Sequence, residues 1–153
     1  MRAWVIAVVV LVSGCVPLPH RANLTPGVAG TLLSEGKPVA GATLRVVASD
    51  SEKGACAGKA HEFKTTAEGA FYGPPVWTFD FFMFVMAHSF FPWAVCTNRE
   101  GTWVPLHQDR TYTLVDTGPA FLVEMTCQDM KCEAKENWEP SPELIKSLEA
   151  RNE

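Results

Sequence analysis

Apolar and polar positions alternate in short blocks along most of this chain, and the blocks are separated by Gly, Pro, Asn and Glu. Residues 27–47 read GVAGTLLSEGKPVAGATLRVV, two apolar runs around a polar turn, the pattern of a β-hairpin. Residues 42–48 form its second strand. A polar loop carrying Cys56 follows at 49–58, then an alternating strand at 61–66, a turn at Glu68-Gly69 and a strand at 70–72. Strands are expected again at 93–97 and 102–106, joined by a hairpin turn at Asn98-Arg99-Glu100-Gly101, with Pro105 marking an edge. A short strand at 111–115 and a strong one at 120–127 complete the set. Beyond Cys132 the chain turns polar. Ser141 and Pro142 open a short helix with Leu144, Ile145 and Leu148 on one stripe. The pattern predicts a mainly β fold, a small antiparallel β-sandwich with a short C-terminal helix.

Residues 76–95, VWTFDFFMFVMAHSFFPWAV, break the rhythm with a dense aromatic run. Their length would span a bilayer, but Asp80 and His88 are costly in lipid and Pro92 breaks a helix. The favoured reading is a strand or buried irregular segment covering one side of the sandwich. The alternative is an exposed apolar surface, with Phe81, Phe84 and Phe90 docking a partner or a lipid face.

Two motifs carry a family resemblance. Val28-x-Gly30 leads to Gly36-Lys37-Pro38-Val39-x-Gly41-Ala42-x-Leu44, and Thr65-x-x-Glu68-Gly69-x-Phe71 follows. The chain resembles the carboxypeptidase regulatory-like domain, a transthyretin-like (prealbumin-like) sandwich. Gly36 suits a positive φ in a turn, Pro38 a strand edge and Gly41 a bulge or tight bend. The resemblance implies the sandwich and leaves function open, since such folds host many roles.

Residues 1–14 read as a signal peptide, with Arg2 before the apolar run 3–12. Val12-Ser13-Gly14-Cys15 resembles the bacterial lipobox, in which the Cys is acylated and becomes the new N-terminus. Acyl chains at Cys15 would anchor the protein, each buried CH₂ contributing ~0.8 kcal/mol. Val16 in place of Asp leans toward the outer membrane by enteric-type sorting. Residues 15–26 form a tether stiffened by Pro17, Pro19 and Pro26, 27–132 the sandwich domain and 133–153 a polar tail. Asn23-Leu24-Thr25 matches a glycosylation sequon by chance in this bacterial setting.

The remaining chemistry narrows the function classes. The chain has 153 residues and a formal charge of −4. Of its 13 Lys and Arg, Arg2 leaves with the signal; against 17 Asp and Glu the mature protein carries −5. No basic stripe appears, and nucleic acid is not an expected partner. With Cys15 acylated, Cys56, Cys96, Cys127 and Cys132 form an even set in an oxidising compartment, with three pairings open. The preferred pairing is Cys56–Cys96 with Cys127–Cys132.

No H-E-x-x-H, G-x-S-x-G, P-loop or dinucleotide fingerprint occurs. Hydroxyisourate hydrolases, also transthyretin-like, end in Tyr-Arg-Gly-Ser, whereas this chain ends Ala150-Arg151-Asn152-Glu153; the paired Tyr and His motifs of intradiol dioxygenases are not found around Tyr72 and Tyr112. No catalytic residue, metal or cofactor is expected. The reading is a non-enzymatic lipoprotein of the outer membrane, facing the periplasm, that binds or assembles envelope components. The alternatives are an enzyme with a hydrolytic or metal site built on His61, His107 and Asp109, or a lipoprotein part of a secretion machine.

Overall fold

The computed structural model describes residues 15–16, 19–81, 83–115, 121–137, 146 and 150, with backbone alone for 15–16, 83–89, 112–115 and 137. Twelve strands are described: β1 (Cys15–Val16), β2 (His20–Asn23), β3 (Gly27–Ser34), β4 (Lys37–Pro38), β5 (Thr43–Asp50), β6 (Gly54–Lys64), β7 (Ala70–Gly73), β8 (Trp77–Asp80), β9 (Met83–Arg99), β10 (Thr102–Val115), β11 (Leu122–Gln128) and β12 (Lys131–Asn137). The chain is mainly β, as expected. One five-stranded sheet runs β6-β5-β9-β10, with β1 also paired to β9. A second runs β12-β11-β3, with β4 and β7 sharing the other edge of β3, and β2 pairs β8 in a separate ribbon. All described pairings are antiparallel except β11 with β3, which is parallel.

Alternation explains where the core sits. In β11, Val123, Met125 and Cys127 are buried while Glu124, Thr126 and Gln128 are exposed. Val28 and Leu32 of β3, Leu44 and Val46 of β5, Phe63 of β6 and Trp93 and Val95 of β9 join them in one cluster, so both five-stranded sheets contribute to it. Period-two burial of this kind makes each strand's register specific, because a one-residue slip would turn the whole apolar set outward.

The hairpin expected at 27–47 is corrected. Glu35 and Gly36 both adopt positive φ (50° and 74°) and close a tight turn, but β4 pairs β3 at only Leu33↔Pro38 and Ser34↔Lys37. The chain then leaves for the other sheet, where β5 lies between β6 and β9. The Val39 N–H still bonds the Leu32 carbonyl at 3.0 Å, and the chain then bends away at Gly41, φ 69°. The crossing is pinned by Thr65, whose hydroxyl accepts the Ala42 N–H (2.9 Å) and donates to the Val39 carbonyl (2.6 Å). The two motifs that looked separate in sequence therefore meet at one corner. Gly69 completes it: a Cβ there would lie 2.6 Å from the Leu32 carbonyl oxygen.

Three further boundaries differ. Cys56 lies within β6, not in a loop, because the turn tightens to Ser51–Lys53. The stretches 102–106 and 111–115 are one strand, β10, with a register shift between Pro105 and His107. β12 carries regular structure into the polar tail as far as Asn137, held by pairing to β11. The signal peptide at 1–14 and most of the helix proposed from Ser141 lie outside the described residues; Lys146 is helical, and the Ala150 N–H bonds the Lys146 carbonyl at 3.0 Å.

Candidate functional site

The aromatic run divides at Trp93. Pairing of β5 with β9 covers Leu44↔Thr97 through Ala48↔Trp93 and stops there. Trp93, Ala94 and Val95 are buried, and the Trp93 indole N–H donates to the Thr111 hydroxyl at 3.0 Å. Among the described residues, β9 from Val85 to Pro92 pairs β10, and at its start Cys15 pairs Phe84 and Val16 pairs Met83. Ten residues at ~3.3 Å each make this ribbon about 33 Å long.

The exposed large apolar side chains sit on this half: Trp77 (38%), Phe79 (60%), Phe81 (62%) and Phe90 (66%). Of the residues proposed for docking, Phe81 and Phe90 are thus on the surface, while Phe84 is described by its backbone only. In β8, Trp77 and Phe79 are exposed and Thr78 and Asp80 half-buried, so Trp77 and Phe79 share one face of the pleat. β2 sets Arg21 opposite Phe79 and His20 opposite Asp80. The Arg21 guanidinium lies 4.2 Å from the Trp77 ring centroid, and the Lys59 ammonium lies 5.4 Å from it and donates to the Trp77 carbonyl at 2.5 Å. Two cations therefore bracket an exposed indole, each attracted by the negative ring face.

His61, His107 and Asp109 are not brought together. His61 pairs Val46, Val46 pairs Val95 and Val95 pairs His107, which sets the two histidines in one row at opposite ends of four strands. Three inter-strand steps of ~4.8 Å put them about 14 Å apart, too far to share a metal ion. His107 Nε2 lies 4.0 Å from Asp109 Oδ2, beyond hydrogen-bond reach, and its ring packs 5.2 Å from that of Trp93. Among the described residues, no group of three His, Cys, Asp or Glu side chains could hold a metal ion.

The cysteines pair as the reading preferred, Cys56–Cys96 and Cys127–Cys132. The first lies on the outward face of the β6-β5-β9 sheet with Val47 and Ala94. Beside it the Arg45 guanidinium stacks 3.9 Å from the Trp103 ring centroid and donates to the Cys56 carbonyl. Burial holds the Arg45 pKa below its ordinary value, with nearby Glu62 acting in the opposite sense. The second disulfide joins directly opposed residues of the β11–β12 hairpin.

A groove of about 540 Å³ runs along the second sheet, where Ala29, Thr31, Leu122, Glu124, Thr126 and Lys135 line it. Its volume falls within the usual ligand-site range of ~300–1,000 Å³. Sequence reasoning found neither this groove nor the bracketing of Trp77. Arg21 lies in what reads as a tether and Lys59 in a polar stretch; the pairing of β2 with β8 brings Arg21 to Trp77, and Lys59 reaches it from β6, while the alternation of Trp77 and Phe79 was the available signal. No family model, curated protein or solved structure matches this chain.

Proposed function

We propose that this chain is a membrane-anchored bacterial lipoprotein, acylated at Cys15 and held at the outer membrane facing the periplasm, whose β domain binds or assembles envelope components without catalysing a reaction. The observation that carries the proposal is Val12-Ser13-Gly14-Cys15 placed directly before a β body stapled by two disulfides. Disulfides belong to oxidising compartments such as the periplasm, so anchor and staples point to one location.

The domain is a transthyretin-like sandwich of the carboxypeptidase regulatory-like kind, closed by a short C-terminal helix. Support comes from the shared cluster between the two five-stranded sheets and from the corner at Thr65 and Gly69, which gives both motifs one structural task. Helical geometry at Lys146 and the bond from the Ala150 N–H to its carbonyl support the helix. The groove on the second sheet is the surface offered to a ligand or an envelope protein.

The deciding experiment is metabolic labelling with a fatty acid in a bacterial host. The wild type takes up label and is cut before Cys15, whereas Cys15→Ala stays uncut at this site and unlabelled. Equal labelling of the two overturns the reading.

A further inference from the structure

The exposed aromatics of β8 lead along the chain to Phe81, close to where β1 pairs β9. Phe81 precedes Phe84 by three residues, and Phe84 is the register partner of Cys15. Three residues of chain, however they run, reach at most about 11 Å. Trp77 and Phe79 share the exposed face of β8, which ends one residue before Phe81, and Arg21, opposite Phe79, lies on their face. Lys59 approaches the same indole from β6. An aromatic ledge bracketed by cations is the composition that proteins place at the membrane–water interface, where indole rings sit at headgroup depth and basic side chains meet anionic lipid. Here the cations stand out against a mature chain of net negative charge.

We propose that the face formed by Trp77, Phe79, Phe81, Arg21 and Lys59 is a second membrane contact, seated in the headgroup layer of an anionic phospholipid surface next to the lipid on Cys15. The proposal rests on the lipoprotein reading above and adds an orientation to it. The acyl chains fix one point of the protein at the bilayer, and the β1–β9 pairing puts Phe84, three residues after Phe81, at that point. A periplasmic protein partner would need to reach the same face against the membrane, so the register favours lipid. The bound face would lay the β2–β8 ribbon on the bilayer and hold the groove of the second sheet at a set height.

The test uses the mature acylated protein in vesicles of phosphatidylethanolamine and phosphatidylglycerol, with phosphatidylcholine vesicles as the uncharged comparison. Brominated phospholipids quench tryptophan fluorescence at known depth. The Trp77→Phe variant supplies the signal of the other tryptophans, and its subtraction leaves Trp77. The expected result is quenching of Trp77 at headgroup depth in anionic vesicles. Each of Arg21→Gln and Lys59→Gln then lowers the docked-to-undocked ratio about fivefold, the factor equivalent to ~1 kcal/mol per cation near an anionic surface. Circular dichroism of each variant verifies the fold. Mass spectrometry of Cys15 on the same sample separates the two claims. Acylated protein with unquenched Trp77 overturns the membrane face and leaves the anchor standing; protein without acyl mass overturns the anchor, and the face with it. Equal quenching in both kinds of vesicle overturns the role given to Arg21 and Lys59.

Discussion

The two disulfides close loops of very different size, and this sets up a comparison with a predicted order. Cys56 and Cys96 are 40 positions apart, Cys127 and Cys132 only 5. In the chain-entropy description a cross-link acts on the unfolded state, and its effect grows with the logarithm of the loop it closes. The relation gives ~3.9 kcal/mol for the long loop and ~2.1 kcal/mol for the short one at room temperature. The packing terms are similar: each bridge has one fully buried member, Cys96 and Cys127. Each double substitution to Ala therefore loses one buried sulfur, and that loss largely cancels between them.

Cys56→Ala/Cys96→Ala should consequently destabilise by about 2 kcal/mol more than Cys127→Ala/Cys132→Ala. Urea unfolding without reductant, followed by tryptophan fluorescence, measures the difference. The long-loop variant should also show the larger rise in the slope m, because its denatured chain gains more exposed surface. A short-loop variant that loses as much as the long-loop variant would refute the reasoning. It would mean that the Cys127–Cys132 bridge acts through the folded hairpin. Asp129 and Met130 there hold positive φ (48° and 74°) without a glycine, a conformation side chains rarely adopt.

Three further outcomes are expected. Trp93→Ala should cost ~3–5 kcal/mol by removing a buried ring and its bond to Thr111, whereas Phe79→Ala and Phe81→Ala should stay within about 0.5 kcal/mol of wild type in the same melts. Gly30→Ala should reach the top of the ~1–3 kcal/mol overpacking range or pass it, since its Cβ would sit 1.9 Å from the Met125 carbonyl oxygen and part β3 from β11; a melt near wild type would show that this parallel pair is misplaced. Asp50 is held below its ordinary carboxylate value first by the Glu52 N–H and then by Lys53. Being depressed, it supports its turn fully above the unfolded pKa and loses that support as pH falls through the folded one. Amide exchange at Glu52, corrected for intrinsic rates, should therefore quicken in acid in wild type and much less in Asp50→Asn.

Local chemistry made part of this fold legible. The alternation of 120–127 and the turn at Glu100-Gly101, with φ of 51° and 85°, follow from side-chain period and backbone preference. The partner of β3 was not legible, because a parallel neighbour from the far end of the chain leaves no local trace in either strand. β12 reads KCEAKEN, with no apolar alternation to announce it; its pairing with β11 and the Cys132 bridge override a weak propensity. The continuity of β10 stayed hidden around Pro105, whose missing N–H suggested an edge and which sits next to a register shift on a strand whose described partner is β9.

The same contrast explains the candidate site. Residues 76–95 look uniformly apolar, yet burial within them depends on whether a second strand and an opposing sheet are present. Where β5 flanks β9, from Trp93 onward, the side chains enter the core. Before that point, among the described residues, β5 no longer pairs β9, and Phe79, Phe81 and Phe90 are exposed, while Val76 alone of this half enters the described core cluster. Both disulfides lie outside this half, joining β6 to β9 past Trp93 and β11 to β12. The stapled body thus has its own core and covalent constraints, and its stability does not depend on the exposed aromatics being buried. The pairing of Cys15 with Phe84 sets the start of β9, three residues after Phe81, beside the proposed anchor.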